Sequence, residues 1–210
     1  MIGCMPKSPT TPNLLCGEKN RGDRAQPQKL DKAKFVDPGY LKYDWRGTMI
    51  NYSTLENVTD RELFDAFMLS FQGFQITTET TYESFSQMLM ERNYNPSISI
   101  GAFDSETGEL VSYVLNSILV REVKTAYDIL TGTIPDYRRR GIARNIFEMM
   151  KILLRENEVK LYTTEVLKSN QGALELYLSV GFTIKDEVAN IITTPKGSRE
   201  IYEYEISMNI

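Results

Sequence analysis

From Met49 onward the apolar residues switch back and forth between two spacings, and this alternation constrains the fold more than any other feature. "MINYST", "SISIGAFD", "ELVSYVLNSILV", "KTAYDILTGTIP" and "VKLYTTEV" are short runs rich in β-branched and aromatic residues, and they read as strands. "TDRELFDAFMLSF" places Leu63, Phe64, Phe67, Met68 and Phe71 at helical spacing behind a Thr59/Asp60 cap signal. "TTYESFSQMLMERN" repeats that spacing with Tyr82, Phe85, Met88 and Leu89, and "GIARNIFEMMKILLREN" and "NQGALELYLSV" supply two further helices. "FTIKDEV" and "REIYEYEISM" close the chain as strands. The resulting order, βααβββαβαββ over residues 49–210, specifies an α/β domain with a mixed sheet.

Residues 1–48 have no sustained period and hold five of the eight prolines, so they are expected to form a disordered or loosely docked extension. This segment carries nine Lys/Arg against five Asp/Glu, which leaves the remainder at 15 against 23. So acidic a body is a poor general binder of nucleic acid, whose affinity comes from neutralising phosphates. No run is long and apolar enough to cross a membrane, and the first residues lack a secretory apolar stretch. A cytoplasmic monomer or homodimer is expected. Both cysteines, Cys4 and Cys16, lie in the extension, so the body has no disulfide. Histidine is absent, which removes Ser-His and Cys-His nucleophile pairs and nearly all zinc sites. No metal is expected.

The stretch "PDYRRRGIARNIFEMM" begins a helix whose start has no Ser, Thr, Asp or Asn to cap it. An anion would satisfy those first N–H groups, and the helix dipole favours one there. Gly141 permits an unusual backbone angle, Ala143 keeps the next turn free of bulk, and Arg138, Arg139, Arg140 and Arg144 add positive charge. A phosphate cradle and a solvated arginine run are both compatible with these residues alone. A Walker loop is not, because no Gly-Lys-Ser/Thr follows.

"IPDYRRRGIA" resembles the acetyl-CoA loop of the GNAT N-acetyltransferase superfamily, Arg/Gln-x-x-Gly-x-Gly/Ala, with Arg138, Gly141 and Ala143 in the patterned positions. "NQGALELYLSVGF" resembles the second signature of that superfamily through Asn170, Ala173, Leu176, Tyr177, Gly181 and Phe182. "YTTEV" is similar to members that acetylate protein N-termini, which carry a glutamate five positions before that asparagine; here it is Glu165. The two signatures occur in order and cover most of residues 49–187. The resemblance implies a mixed, mostly antiparallel central sheet flanked by helices, with acetyl-CoA as cosubstrate and a primary amine as acceptor. The alternative is a non-catalytic acyl-CoA-binding regulatory module.

The resemblance also implies that two central strands splay apart around the pantetheine arm. Backbone groups of Thr131, Gly132 and Thr133 would hold it, with Gly132 bending the strand or hosting a bulge. The pyrophosphate would rest on residues 138–144, Ile142 included. Tyr177 is the expected acid for the CoA thiolate, although its spacing also suits a core aromatic. Asn170 is an N-cap, a pantetheine contact, or both. Glu165, in an apolar setting and acting through water, is the expected base; Asp128 is its rival, and desolvation of the amine without a base is the third option. The absence of Cys and His nucleophiles from the body favours direct transfer. The acceptor is expected across "FMLSFQGFQITTETTYESF", with Glu79, Glu83, Phe71, Phe74, Tyr82 and Phe85 forming an acidic, apolar-walled mouth.

Overall fold

The computed structural model describes residues 42–44, 46–72, 80–120, 122–194 and 197–210. The expected extension therefore lies outside the described residues up to Leu41. Twelve elements follow: β1 (Lys42–Tyr43), β2 (Met49–Thr54), α1 (Asp60–Ser70), α2 (Tyr82–Glu91), β3 (Ile100–Asp104), β4 (Leu110–Val120), β5 (Lys124–Thr133), α3 (Ile142–Glu156), β6 (Leu161–Leu167), α4 (Gln171–Ser179), β7 (Thr183–Thr194) and β8 (Gly197–Asn209). Each expected helix and strand is present. The order gains one element, because β1 pairs with β2 across a tight hairpin, Lys42 opposite Ile50 and Tyr43 opposite Met49. The strand expected from Ser97 starts later, since Pro96–Ile98 form a 3-10 turn.

The eight strands lie in the order β1-β2-β3-β4-β5-β6-β8-β7. Among neighbours only β5 and β6 are parallel, because α3 carries the chain back to the end where β5 began; α4 makes the same return from β6 to β7, but β8 lies between those two strands. Every other neighbouring pair is antiparallel. Alternation divides the core into two. On one face α3 and α4 cover Ile50, Ile100, Val114, Ala126, Tyr162 and Ile206. On the other, Leu63, Phe67, Phe85 and Leu89 of α1 and α2 cover Leu55, Phe103, Tyr113 and Leu115.

Local chemistry explains the helix starts. Thr59 accepts from the Glu62 N–H at 3.2 Å while Glu62 accepts from the Thr59 N–H at 2.8 Å, a reciprocal capping box worth about 1 kcal/mol. Thr81 and Ser84 repeat the arrangement at α2. In α3, Ile142, Ile146, Phe147, Met149, Met150, Leu153 and Leu154 are buried along a single stripe. Among the described residues no helix is long and apolar enough to cross a membrane.

β5 departs from regular alternation at one place. Asn116 of β4 faces Asp128 and Leu115 faces Leu130, so Ile129 is an extra residue, a β-bulge. Ile129 and Leu130 both pack toward the α1/α2 side. Asp128 and Thr131, which strict alternation would separate, come to lie on the same side and bond each other at 2.8 Å.

Candidate active site

β5 and β6 share a ladder of only three residue pairs, Thr125, Ala126 and Tyr127 with Leu161, Tyr162 and Thr163. Beyond it β5 runs on to Thr133 beside β4 and β6 runs on to Leu167 beside β8, with no ladder between them. The strands part into a wedge. Its apex is closed by Thr164 Oγ1, which donates to the Asp128 carbonyl at 3.0 Å. The facing strand edges offer backbone groups that a ligand bearing amides pairs with in the manner of an added strand.

Both strands lead at their C-terminal ends into helices, so α3 and α4 start beside the mouth of the wedge. Gly141 caps α3 with φ 78°, and among the described residues no side chain accepts from the first turn. A Cβ at Gly141 would meet nothing within 4 Å, so its requirement is the left-handed backbone, and the space beside it is open. The first N–H groups of α3 and its dipole are therefore available to an anion. The Ile142 side chain is in the core at 2% exposure, which leaves its N–H as the group it can offer. Ala143 follows on the half-buried first turn. α4 differs, because Asn170 Oδ1 accepts from the Ala173 N–H at 3.2 Å and is a true N-cap.

The four arginines separate into two kinds. Arg138 donates through Nε to the Thr133 carbonyl at 3.0 Å and through Nη2 to the Ser70 carbonyl at 2.6 Å. Arg140 donates to Asp44 Oδ2 at 2.9 Å, and its guanidinium lies 4.6 Å from the Tyr137 ring centre. Both were expected around the pyrophosphate, and here their guanidinium groups bond the protein itself. Arg139 and Arg144 are exposed, and neither has a partner among the described residues. Asp44 Oδ1 accepts from the N–H groups of Arg46 and Thr48 at 2.8 and 2.9 Å. Burial opposes its ionisation, but Arg140 and those N–H groups outweigh it and hold the carboxyl below its usual range.

The bulge lies at Ile129 and not at Gly132, where the lack of a side chain makes room: a Cβ there would lie 2.4 Å from the Tyr113 ring and 2.7 Å from Ser70 Oγ. Tyr113 and Ser70 bond each other at 2.7 Å across that space. Thr131 Oγ1 is turned to Asp128, and Thr133 Oγ1 bonds Ser112 Oγ at 2.8 Å. The hydroxyls of Thr131 and Thr133 are thus both engaged within the protein.

The two sides of the wedge carry different chemistry. On the α3/α4 side Tyr177 packs edge-on against Phe147 and Phe182, with centroids at 5.5 and 5.2 Å, and donates its hydroxyl to Asp128 Oδ2 at 2.9 Å. Burial, and then the Asp128 charge, raise Tyr177 well above its ordinary value near 10. Burial pushes the Asp128 carboxyl up to about 6. On the α1/α2 side Glu165 accepts a short bond from the Tyr127 hydroxyl, which receives Arg92 Nη1 at 3.2 Å. Glu165 is exposed, so the apolar setting expected for it is absent. Tyr127 and Arg92 were not legible, because their link to Glu165 joins residues distant along the chain; the pairing of Thr163 with Tyr127 is the only signal, and it requires the sheet.

Of the expected acceptor mouth, Phe74 and Glu79 lie outside the described residues. Phe85 is 1% exposed and packs 5.1 Å from Phe67, so it is core and not a wall. Phe71 packs at a tilt against Phe67, with centroids 5.0 Å apart, Tyr82 meets Phe64 edge-on, and Glu83 is exposed at the start of α2. Among the described residues no cluster of His, Cys, Asp or Glu could hold a metal ion.

The acetyltransferase (GNAT) family model matches residues 61–182. The [ribosomal protein bS18]-alanine N-acetyltransferase of Escherichia coli strain K12 is 27% identical over 96 residues, 46% of this chain and 63% of that protein. The chain thus spans less than two thirds of the length of the curated relatives it matches. The crystal structure of the ribosomal-protein-S18-alanine N-acetyltransferase from Escherichia coli matches with a TM-score of 0.60 at 20% identity, covering 77% of this chain and 94% of that one. Arabidopsis thaliana NAA60 in complex with a bisubstrate analogue gives 0.59 at 18%, over 77% and 98%. The NatC complex bound to Gag peptide and CoA gives 0.57 at 14%, over 77% and 98%. At these identities the structural matches establish the fold.

Proposed function

The chain belongs to the acetyltransferase (GNAT) family, and on that premise we propose that it transfers an acetyl group from acetyl-CoA directly to the free α-amine of a peptide or protein. The observation that carries this reading is the wedge itself, an opening between parallel strands with Tyr177 on one face and Glu165 on the other. In this reading the pyrophosphate rests on the first N–H groups of α3 beside Arg139 and Arg144. The pantetheine lies along the backbone of Thr131, Gly132 and Thr133, with Asn170 at the far lip. A β5 N–H receives the thioester oxygen, where charge develops as the amine attacks. Tyr177 delivers a proton to the departing sulfur, and Glu165 accepts one from the amine through water.

An α-amine suits this site better than a lysine side chain. With a pKa of 7.7–8.0, roughly one α-amine in ten is neutral at pH 7, against roughly one lysine in two thousand. An exposed, solvent-accessible carboxylate such as Glu165 is adequate for the smaller task. The relatives support the same acceptor: two act on a protein alanine or were solved with a peptide, by their descriptions. The reading includes a cytoplasmic monomer or homodimer, with no nucleic-acid or membrane partner.

The test is a pair of peptides of one sequence containing an internal lysine, one with a free N-terminus and one formylated. Acetylation of the free peptide alone, on its first residue by mass spectrometry, is the expected result. Equal acetylation of both on lysine would overturn the α-amine assignment.

A further inference from the structure

The reading of Tyr177 as the acid leaves a difficulty that Asp128 resolves. A phenol has one proton. While Asp128 is ionised, that proton lies in the hydrogen bond to Asp128 Oδ2 and is not available to a sulfur atom. We infer that Asp128 is a positioning residue for the transfer step, a buried carboxylic acid that holds Tyr177 and replaces the proton Tyr177 gives to the CoA sulfur. The inference rests on the proposed role of Tyr177.

Three observations carry it. First, Asp128 is 1% exposed and no cation pairs with it among the described residues. Second, its Oδ2 receives two hydroxyls, from Tyr177 at 2.9 Å and Thr131 at 2.8 Å, and the Leu130 N–H lies near the carboxyl, while its buried Oδ1 makes no well-formed hydrogen bond among the described residues. An ionised carboxylate left half unsatisfied in the interior is costly, and packing alone would be served better by an uncharged residue. Third, the bulge at Ile129 is what brings Asp128 and Thr131 together, and it falls where the β5–β6 ladder ends. The carboxyl therefore stands at the closed end of the wedge.

The titratable groups around Asp128 are Tyr177 on α4 and Tyr162 and Glu165 on β6; β4 faces it with neutral Asn116. Burial is the dominant influence and places the carboxyl at about 6, so the neutral acid is accessible. A ligand filling the wedge removes water and favours the neutral form further. The neutral acid donates to the Tyr177 oxygen, and the phenol proton is released to point into the wedge.

The proton count then closes. As the tetrahedral adduct collapses, its C–S bond breaks and the electron pair goes to sulfur. The Tyr177 proton passes to that sulfur, and the Asp128 proton passes to the Tyr177 oxygen, leaving a carboxylate. The proton taken from the amine leaves through Glu165 and water, and Asp128 regains one from solvent after CoA departs. The net change is one amide and one thiol formed from one amine and one thioester.

The experiment is the pH profile of kcat from about pH 5 to pH 9 for the wild type, Asp128→Asn, Asp128→Glu and Tyr177→Phe, with acetyl-CoA Kd from calorimetry. Wild-type kcat should fall on the alkaline side as Asp128 loses its proton. Asp128→Asn should lower kcat at least about tenfold and abolish that fall, with Kd nearly unchanged, and Asp128→Glu should restore the fall. A wild-type kcat with no alkaline fall overturns the inference whether or not the variants fold. If Tyr177→Phe loses kcat while Asp128→Asn keeps both kcat and the fall, the inference fails and the role of Tyr177 stands. If Tyr177→Phe keeps wild-type kcat, the role of Tyr177 fails first.

Discussion

Tyr177 and Asp128 meet across 49 positions of sequence, and the two could not have been paired from the sequence. The spacing of Tyr177 is that of a core aromatic, and the structure confirms that it is one, packed against Phe147 and Phe182. Only the resemblance to a signature motif separated it from its neighbours. Replacing it with Phe keeps that packing and removes one hydroxyl, so kcat should fall about 100-fold while acetyl-CoA affinity stays within a small factor, checked by steady-state kinetics and calorimetry. Asp128 makes a separate prediction about stability. Its carboxyl is raised from 3.8 to about 6 on folding, so the folded chain binds more protons than the unfolded chain in that window. Stability attributable to this group is therefore highest below the window and is lost as pH rises through it. Two units correspond to about 3 kcal/mol as an upper bound. Asp128→Asn should accordingly stabilise the protein by about 1–3 kcal/mol near pH 7.5 and confer no gain near pH 4, measured by urea denaturation.

Helices α1 and α2 were legible because their signals are local: the Thr59/Asp60 cap ahead of α1 and, in both, an apolar stripe every three to four positions. The hairpin of β1 and β2 was not, because a two-residue strand carries no period. Its support comes from Arg140, 96 positions away, and from Lys42 Nζ on Asn145 Oδ1 at 3.3 Å in the first turn of α3. The motif fixes where Arg138 and Arg140 stand in sequence but not which way their side chains turn. That geometry gives the hairpin a role as a clamp on the loop before α3. In Asp44→Asn the Oδ1 atom can keep the Arg46 and Thr48 N–H bonds, while an amide replaces the acceptor facing Arg140. Breaking one side of a buried pair leaves the other charge uncompensated. The variant should raise the acetyl-CoA Kd about tenfold or more with kcat at saturation little changed, seen by calorimetry and initial rates.

The order of elements was readable from Met49 to the C-terminus because each element has its own period. The insertion of β8 between β6 and β7 was not, since it depends on pairing and not on pattern. The wedge is likewise a product of the assembled sheet, three paired residues followed by divergence. Its place in the family motif was inferred, but the split of chemistry between its two faces emerged only with the strands in register. The central claim is direct acetyl transfer from acetyl-CoA to an amine. Incubating the full chain with acetyl-CoA and a panel of free-N-terminus peptides, polyamines and aminoglycosides, and measuring thiol release beside acetylated product, tests it most directly. The account predicts peptide acetylation matched mole for mole by free CoA thiol, with no acetyl group retained on the protein. Acetyl-CoA binding without thiol release for any amine in the panel would contradict it and identify a non-catalytic acyl-CoA-binding module.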